Sequence, residues 1–149
     1  MAKGLVFGVT NGIITMLALI TGMYAGKVEK VGIIAAILAI LIADPLSDAY
    51  SMYISEKNNN NRRESAYDVG KEAFLSQFIL QFVFLMIIVF TPTILSGLAV
   101  CYLFGLISIL TYAFVQKSTF KEVIVNLSWI ISIITITYFS DVLVHKYYN

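Results

Sequence analysis

The sequence predicts an all-α membrane protein with five spanning helices. Of its 149 residues 59% are hydrophobic and only 13% are charged, against roughly 25% charged in a soluble domain. The apolar residues gather into five runs, each near the roughly 20 residues that a helix needs to cross hydrocarbon. Short polar turns separate most of these runs.

The first span is read at residues 5–24, the second at 31–55, the third at 73–90, the fourth at 94–115 and the fifth at 123–144. Residues 5–24 form too long an apolar run for a signal core and contain Asn11, so they read as a retained membrane helix. Gly26-Lys27-Val28-Glu29-Lys30 makes the first turn and Thr91-Pro92-Thr93 the third, where Pro92 disfavours helix in the residue before it. Residues 116–122 make the fourth connection. The second connection, 56–72, is the long one and is read as a cytoplasmic loop. It opens on four asparagines and two arginines, then turns helix-compatible.

Loop basicity sets the expected orientation. Lys3, Lys57, Arg62, Arg63, Lys71, Lys117 and Lys121 fall on the side of the N-terminus, while Lys27, Lys30 and Lys146 fall opposite. Seven against three places the N-terminus in the cytoplasm and the C-terminus on the other side. A net charge of +1 offers no nucleic-acid surface. The lone Cys101 excludes a disulfide within the chain and any multi-cysteine metal site. There is one His, no His–Glu metalloprotease helix and no glycine-rich phosphate loop, so no enzyme is expected.

The second span carries the chemistry. Asp44, Asp48, Met52 and Glu56 recur every four residues and form one slowly drifting stripe. From Asp44 to Glu56 the stripe covers roughly 18 Å of helix axis. A carboxylate at the bilayer centre costs about 2.5–3.5 kcal/mol on insertion scales, so two of them need an ion, a proton path or a buried partner. Pro45 leaves the Leu41 carbonyl without its helical donor, and Ser47 and Ser51 add hydroxyls nearby. Carboxylates alone suit hard cations, whereas carboxylates with a thioether suggest Fe²⁺ or Mn²⁺. Packing alone is the competing account of Met52.

Other polar groups are weaker signals. Gly4, Gly8 and Gly12 are spaced by four on the first span, a pattern that lets membrane helices approach closely. Asn11 lies beside them, either to bond another helix or to offer its amide oxygen to an ion. Gln77 and Gln81, also four apart, read as interhelical bonding groups. Glu64, Asp68 and Glu72 share one face of the segment after the second span. They read as a solvated face beside Lys71 or as an acidic patch gathering cations at a cytoplasmic mouth.

The first two spans resemble the vacuolar iron transporter family of membrane iron and manganese transporters. The first reads Phe7-Gly8-Val9-Thr10-Asn11-Gly12, then Thr15, Ala18-Leu19 and Gly22, beside the family's Phe-Gly-x-Ser/Thr-Asp-Gly, later Thr, Ala-Leu and Gly. The second reads Ala43-Asp44-Pro45-Leu46-Ser47-Asp48-Ala49-Tyr50-Ser51-Met52-Tyr53-Ile54-Ser55, beside Ala-x-x-x-Ser-Met-x-x-Gly-Glu-Tyr-x-Ser. Asn11 stands where the family has an aspartate, Asp48 where it has methionine, and Met52 where it has glutamate. The family's longer acidic metal-binding helices are reduced here to Glu64, Asp68 and Glu72.

The resemblance implies a homodimer in the lipid bilayer, with a pathway between subunits lined by the first two spans and Gly4, Gly8 and Gly12 packed near the dimer axis. It implies transport of Fe²⁺ or Mn²⁺ out of the cytoplasm in exchange for protons, with no permanently bound cofactor. Asp48 and Met52 become the expected ligands, with Asp44, Asn11 and Glu56 lining the route. Asn11 cannot titrate, so Asp44 or Asp48 would carry the proton. The alternatives are a metal sensor or assembly partner that retains the fold without transporting, and a transporter of another substrate.

Overall fold

The computed structural model of the chain is all α-helical and describes residues 3–60 and 63–148, with the side chains of Asn60, Arg63 and Glu64 outside that description. The helices are α1 (Lys3–Ala25), α2 (Lys30–Asn60), α3 (Arg63–Phe90), α4 (Ile94–Val115) and α5 (Phe120–Tyr148). All five are long and apolar enough to cross a membrane. Helix is the economical form for such sequences, because it satisfies backbone N–H and C=O groups within the segment.

Two helices run well past the spans read from the sequence. The segment 56–72 is helical at both ends, as the last turn of α2 and the first turns of α3, where a cytoplasmic loop was expected. The cause is packing rather than hydropathy. Ala66, Gly70 and Ala73 place small residues on the inner face of α3, and Ala66 and Ala73 are fully buried. At Gly70 an added Cβ would come within 2.9 Å of the Ala49 carbonyl of α2. Close contact of this kind holds a polar stretch helical even where its composition suggests a loop.

The turns have local causes. Thr93 caps α4 by accepting from the Ser96 N–H at 3.2 Å, and the Ser96 hydroxyl accepts from the Thr93 N–H in return. The α1–α2 and α4–α5 turns are built alike. Lys27 (φ 57°) and Lys117 (φ 53°) adopt the left-handed conformation just past a helix end. The N–H of Val28 then bonds the Met23 carbonyl at 2.9 Å, and that of Ser118 bonds Ala113 at 3.0 Å, closing both helices in the Schellman manner.

The core sits where α1, α2 and α3 meet. α2 packs most extensively on α3, and α1 lies across α3 and also touches α2, α4 and α5. Ile13, Met16, Ile20, Ile33, Ile37, Phe84 and Ile88 are completely buried there. Phe84 meets Phe104 of α4 edge to face, with ring centroids 5.2 Å apart. By contrast α5 leans mainly on α1 and has one buried residue among those described, Ile130.

The glycine stripe, expected near a dimer axis, packs against α3 of the same chain. A Cβ on Gly4 would lie 2.1 Å from the Val69 carbonyl oxygen, one on Gly8 2.0 Å from the Ser76 hydroxyl, and one on Gly12 3.1 Å from Leu80. The close approach is therefore used within the chain, between α1 and α3, and these buried glycines are closed to a second subunit. Spacing reveals that a helix can be approached closely; it does not say by which neighbour.

Candidate functional site

Midway along the three central helices, five polar side chains converge. Asn11 comes from α1, Asp44 and Asp48 from α2, and Gln77 and Gln81 from α3. The stripe spacing on α2 puts both aspartates on the side that faces α1 and α3, in line with the buried Ile33, Ile37 and Leu41. The matching four-residue spacing on α3 sets Gln77 and Gln81 opposite them, both fully buried. Gly8 and Gly12 let α1 lie close enough on α3 for Asn11 to reach across.

The hydrogen bonds are specific. Gln77 Nε2 donates to Asp44 Oδ2 at 2.7 Å and to Asp48 Oδ2 at 2.9 Å, bridging the two carboxylates. Gln81 Nε2 donates to Asp44 Oδ2 at 2.7 Å. Asn11 Nδ2 donates to Asp48 Oδ2. The carboxylates therefore meet amide N–H groups from two other helices. Two carboxylates whose oxygens both lie within 2.9 Å of one nitrogen repel each other in a medium of low dielectric. A proton or a metal cation between them removes that repulsion.

The amides are only half satisfied. Gln77 Oε1 and Gln81 Oε1 are buried without a hydrogen-bond partner. A buried acceptor left unmade costs about 1–3 kcal/mol. Among the described residues these two orphans, in one cluster beside two carboxylates, are the buried side-chain polar atoms that the fold leaves unsatisfied.

The expected ligands divide. Asp44, Asp48 and Asn11 come together. Met52 is half-buried on the same face of α2, one turn beyond Asp48, and lies outside the hydrogen-bonded cluster. Glu56 is buried at the end of α2, about 12 Å along the axis from Asp48. It pairs with Lys3 Nζ at 3.3 Å, joining the start of α1 to the end of α2. Ser47 and Ser51 are exposed, and the Ser51 hydroxyl donates to the Ser47 carbonyl at 2.9 Å, so neither joins the aspartates. Glu64 lies in the first turn of α3, with its side chain outside the description. Asp68 is exposed and Glu72 is half-covered by the start of α1, with its Cβ near Gly4. Among the described residues, no three His, Cys, Asp or Glu side chains gather as a metal-binding group.

Gln77 and Gln81 complete the cluster, although the sequence reading gave them only an interhelical role. A pair of glutamines four residues apart, on the span that follows a pair of aspartates four residues apart, was the available signal. On the opposite side of the bundle, Lys30 Nζ donates to the carbonyls of Val89 and Thr91, fastening the start of α2 to the end of α3. At another level the hydroxyls of Thr21 and Tyr102 bond at 2.7 Å between α1 and α4.

Compared with known proteins, the chain matches no family model, no curated protein and no solved structure. The likeness to vacuolar iron transporters accordingly rests on the motifs of α1 and α2.

Proposed function

We propose that the protein is a membrane transporter of a divalent transition metal ion, Fe²⁺ or Mn²⁺, with Asp44 and Asp48 as the anionic centre of its site. One observation carries the reading: two half-buried carboxylates lie where three apolar helices meet, held by carboxamides rather than by a cationic side chain. Such a pair has an unmet demand for positive charge, which a transported cation or a proton supplies. A proton and a metal cation can each supply that charge, so the two compete for one site. That competition is the physical basis of exchange, with metal leaving the cytoplasm as protons enter. The basic-residue count supports a cytoplasmic N-terminus.

The route in this reading follows α1, α2 and α3 of a single chain. A homodimer, which the family resemblance favours, would then assemble through faces other than the glycine stripe. The exposed sides of α4 and α5 are available for it.

The test is metal uptake into proteoliposomes. Wild-type protein is expected to carry Fe²⁺ or Mn²⁺, and Asp48→Asn to reduce the flux at least tenfold. Undiminished flux in that variant removes Asp48 from the site and with it this reading.

A second reading has its own support. Amide donors already occupy both carboxylates, and Asn11 offers no titratable group. A non-transporting protein, such as a metal sensor or assembly partner, needs no more than this. Stoichiometric metal binding by purified protein without flux would favour it.

A further inference from the structure

We propose that Gln77 and Gln81 are ligands of the cation as well as placeholders for it, and that of the two ions named above they admit the harder, Mn²⁺, along with hard divalent cations of its size such as Mg²⁺. The inference deepens the transport reading and rests on taking the Asp44–Asp48 cluster as a cation site.

The argument starts from the two orphan oxygens. Gln77 and Gln81 are fully buried, their amide groups point at the carboxylates through Nε2, and each leaves Oε1 with no partner. A carboxamide carries a donor and an acceptor on one planar group. Half a turn about its last side-chain bond exchanges the two. With Nε2 inward, each amide neutralises part of the carboxylate field and lets the empty site exist in an apolar core. With Oε1 inward, an oxygen would lie against Asp44 Oδ2, which is repulsive unless a cation sits between them. The same two residues thus stabilise the empty and the occupied site in turn. Such a device holds the site together whenever the metal is absent.

The geometry also limits the ion. The amide nitrogens lie 2.7–2.9 Å from the carboxylate oxygens. After inversion those spacings separate pairs of oxygens. Neighbouring oxygens in an octahedral shell around an ion at about 2.1 Å are about 3 Å apart, whereas the longer bonds of Ca²⁺ spread them further. The inverted shell is all oxygen: Asp44, Asp48, Gln77 and Gln81. Oxygen-only ligand sets suit Mg²⁺ and Mn²⁺ over softer metals. The Met52 thioether is outside this shell, so the set differs in kind from one built on Asp48 and Met52.

Binding of Mn²⁺ to the purified full-length chain in detergent micelles, followed by electron paramagnetic resonance with Mg²⁺ as competitor, tests the proposal. Gln81→Glu removes the N–H donor and keeps the oxygen, and Gln81→Leu removes both. Wild type should bind Mn²⁺ and release it to Mg²⁺. Gln81→Glu should bind Mn²⁺ at least as tightly as wild type, and Gln81→Leu at least tenfold more weakly. Loss of binding in Gln81→Glu, unchanged binding in Gln81→Leu, or failure of Mg²⁺ to displace Mn²⁺ overturns it. Should Gln81→Leu fail to fold, Gln81→Met, which fills similar space without an oxygen, takes its place and is expected to bind Mn²⁺ at least tenfold more weakly; unchanged binding there overturns the proposal. The expected binding pattern without flux in proteoliposomes would overturn the transport reading and leave this inference standing. Flux sensitive to Asp48→Asn, with Mn²⁺ binding indifferent to both Gln81 variants, would do the reverse.

Discussion

The central trio of α1, α2 and α3 and the peripheral α5 both carry polar side chains at helical spacing within apolar sequence, and the structure treats them in opposite ways. In the trio, Asn11, Gln77 and Gln81 reach across to Asp44 and Asp48 on another helix. In α5, Ser128, Ser132, Thr135, Thr137 and Ser140 each turn back to the carbonyl four residues earlier, at 2.7–2.9 Å. A short hydroxyl satisfied by its own backbone can face lipid without cost to the fold. A carboxylate or a long amide cannot, and it draws neighbouring helices around itself. Side-chain reach, more than polarity, separates an interior helix from a peripheral one here.

Substitutions can break that contrast, and the largest effect belongs to the trio. Gly8→Val should abolish the α1–α3 contact, since even a Cβ would lie 2.6 Å from the Ala73 carbonyl oxygen. We expect a loss of at least about 3 kcal/mol, read as an earlier midpoint on titrating micellar protein with sodium dodecyl sulfate. Gln77→Leu removes the amide that bridges both aspartates, at a cost of about 2 kcal/mol in the same titration. Thr21→Val breaks a single hydroxyl pair with Tyr102 and should cost about 0.6 kcal/mol, the average for interhelical bonds in membranes. Ser132→Ala on α5 should stay within about 0.5 kcal/mol of wild type. If Ser132→Ala matched Gln77→Leu, the distinction between the two regions would fail.

Much of this was legible in the chain. Hydropathy located five helices, and the four-residue stripe on α2 identified the face that turns inward. The glutamine pair on α3 was readable as bonding to another helix, though not as bonding to the aspartates. What the pattern concealed were choices among neighbours. Gly4, Gly8 and Gly12 advertised a close partner and could not say that it was α3. Glu56 belonged to the same stripe as Asp48, yet Lys3, distant in sequence, claims it at the far end of the helix. The segment before the third span was legible as helix-compatible, with Glu64, Asp68 and Glu72 on one face, but its continuity with α3 was not, because Gly70, which sets it against α2, carries little hydropathic weight.

The polar cluster also bears on how the chain is made. Its last member, Gln81, lies on the third helix, so every group in the cluster has been synthesised before α4 and α5 exist. Domains form from the N-terminal side as the chain emerges. A lone α2 entering the bilayer would expose two carboxylates, each a burden on insertion. Delivered together, α1, α2 and α3 can shield them from the start. The order of helices along the chain thus serves as an assembly schedule, and shortening the protein from its C-terminal end should spare insertion far longer than any change that delays α3.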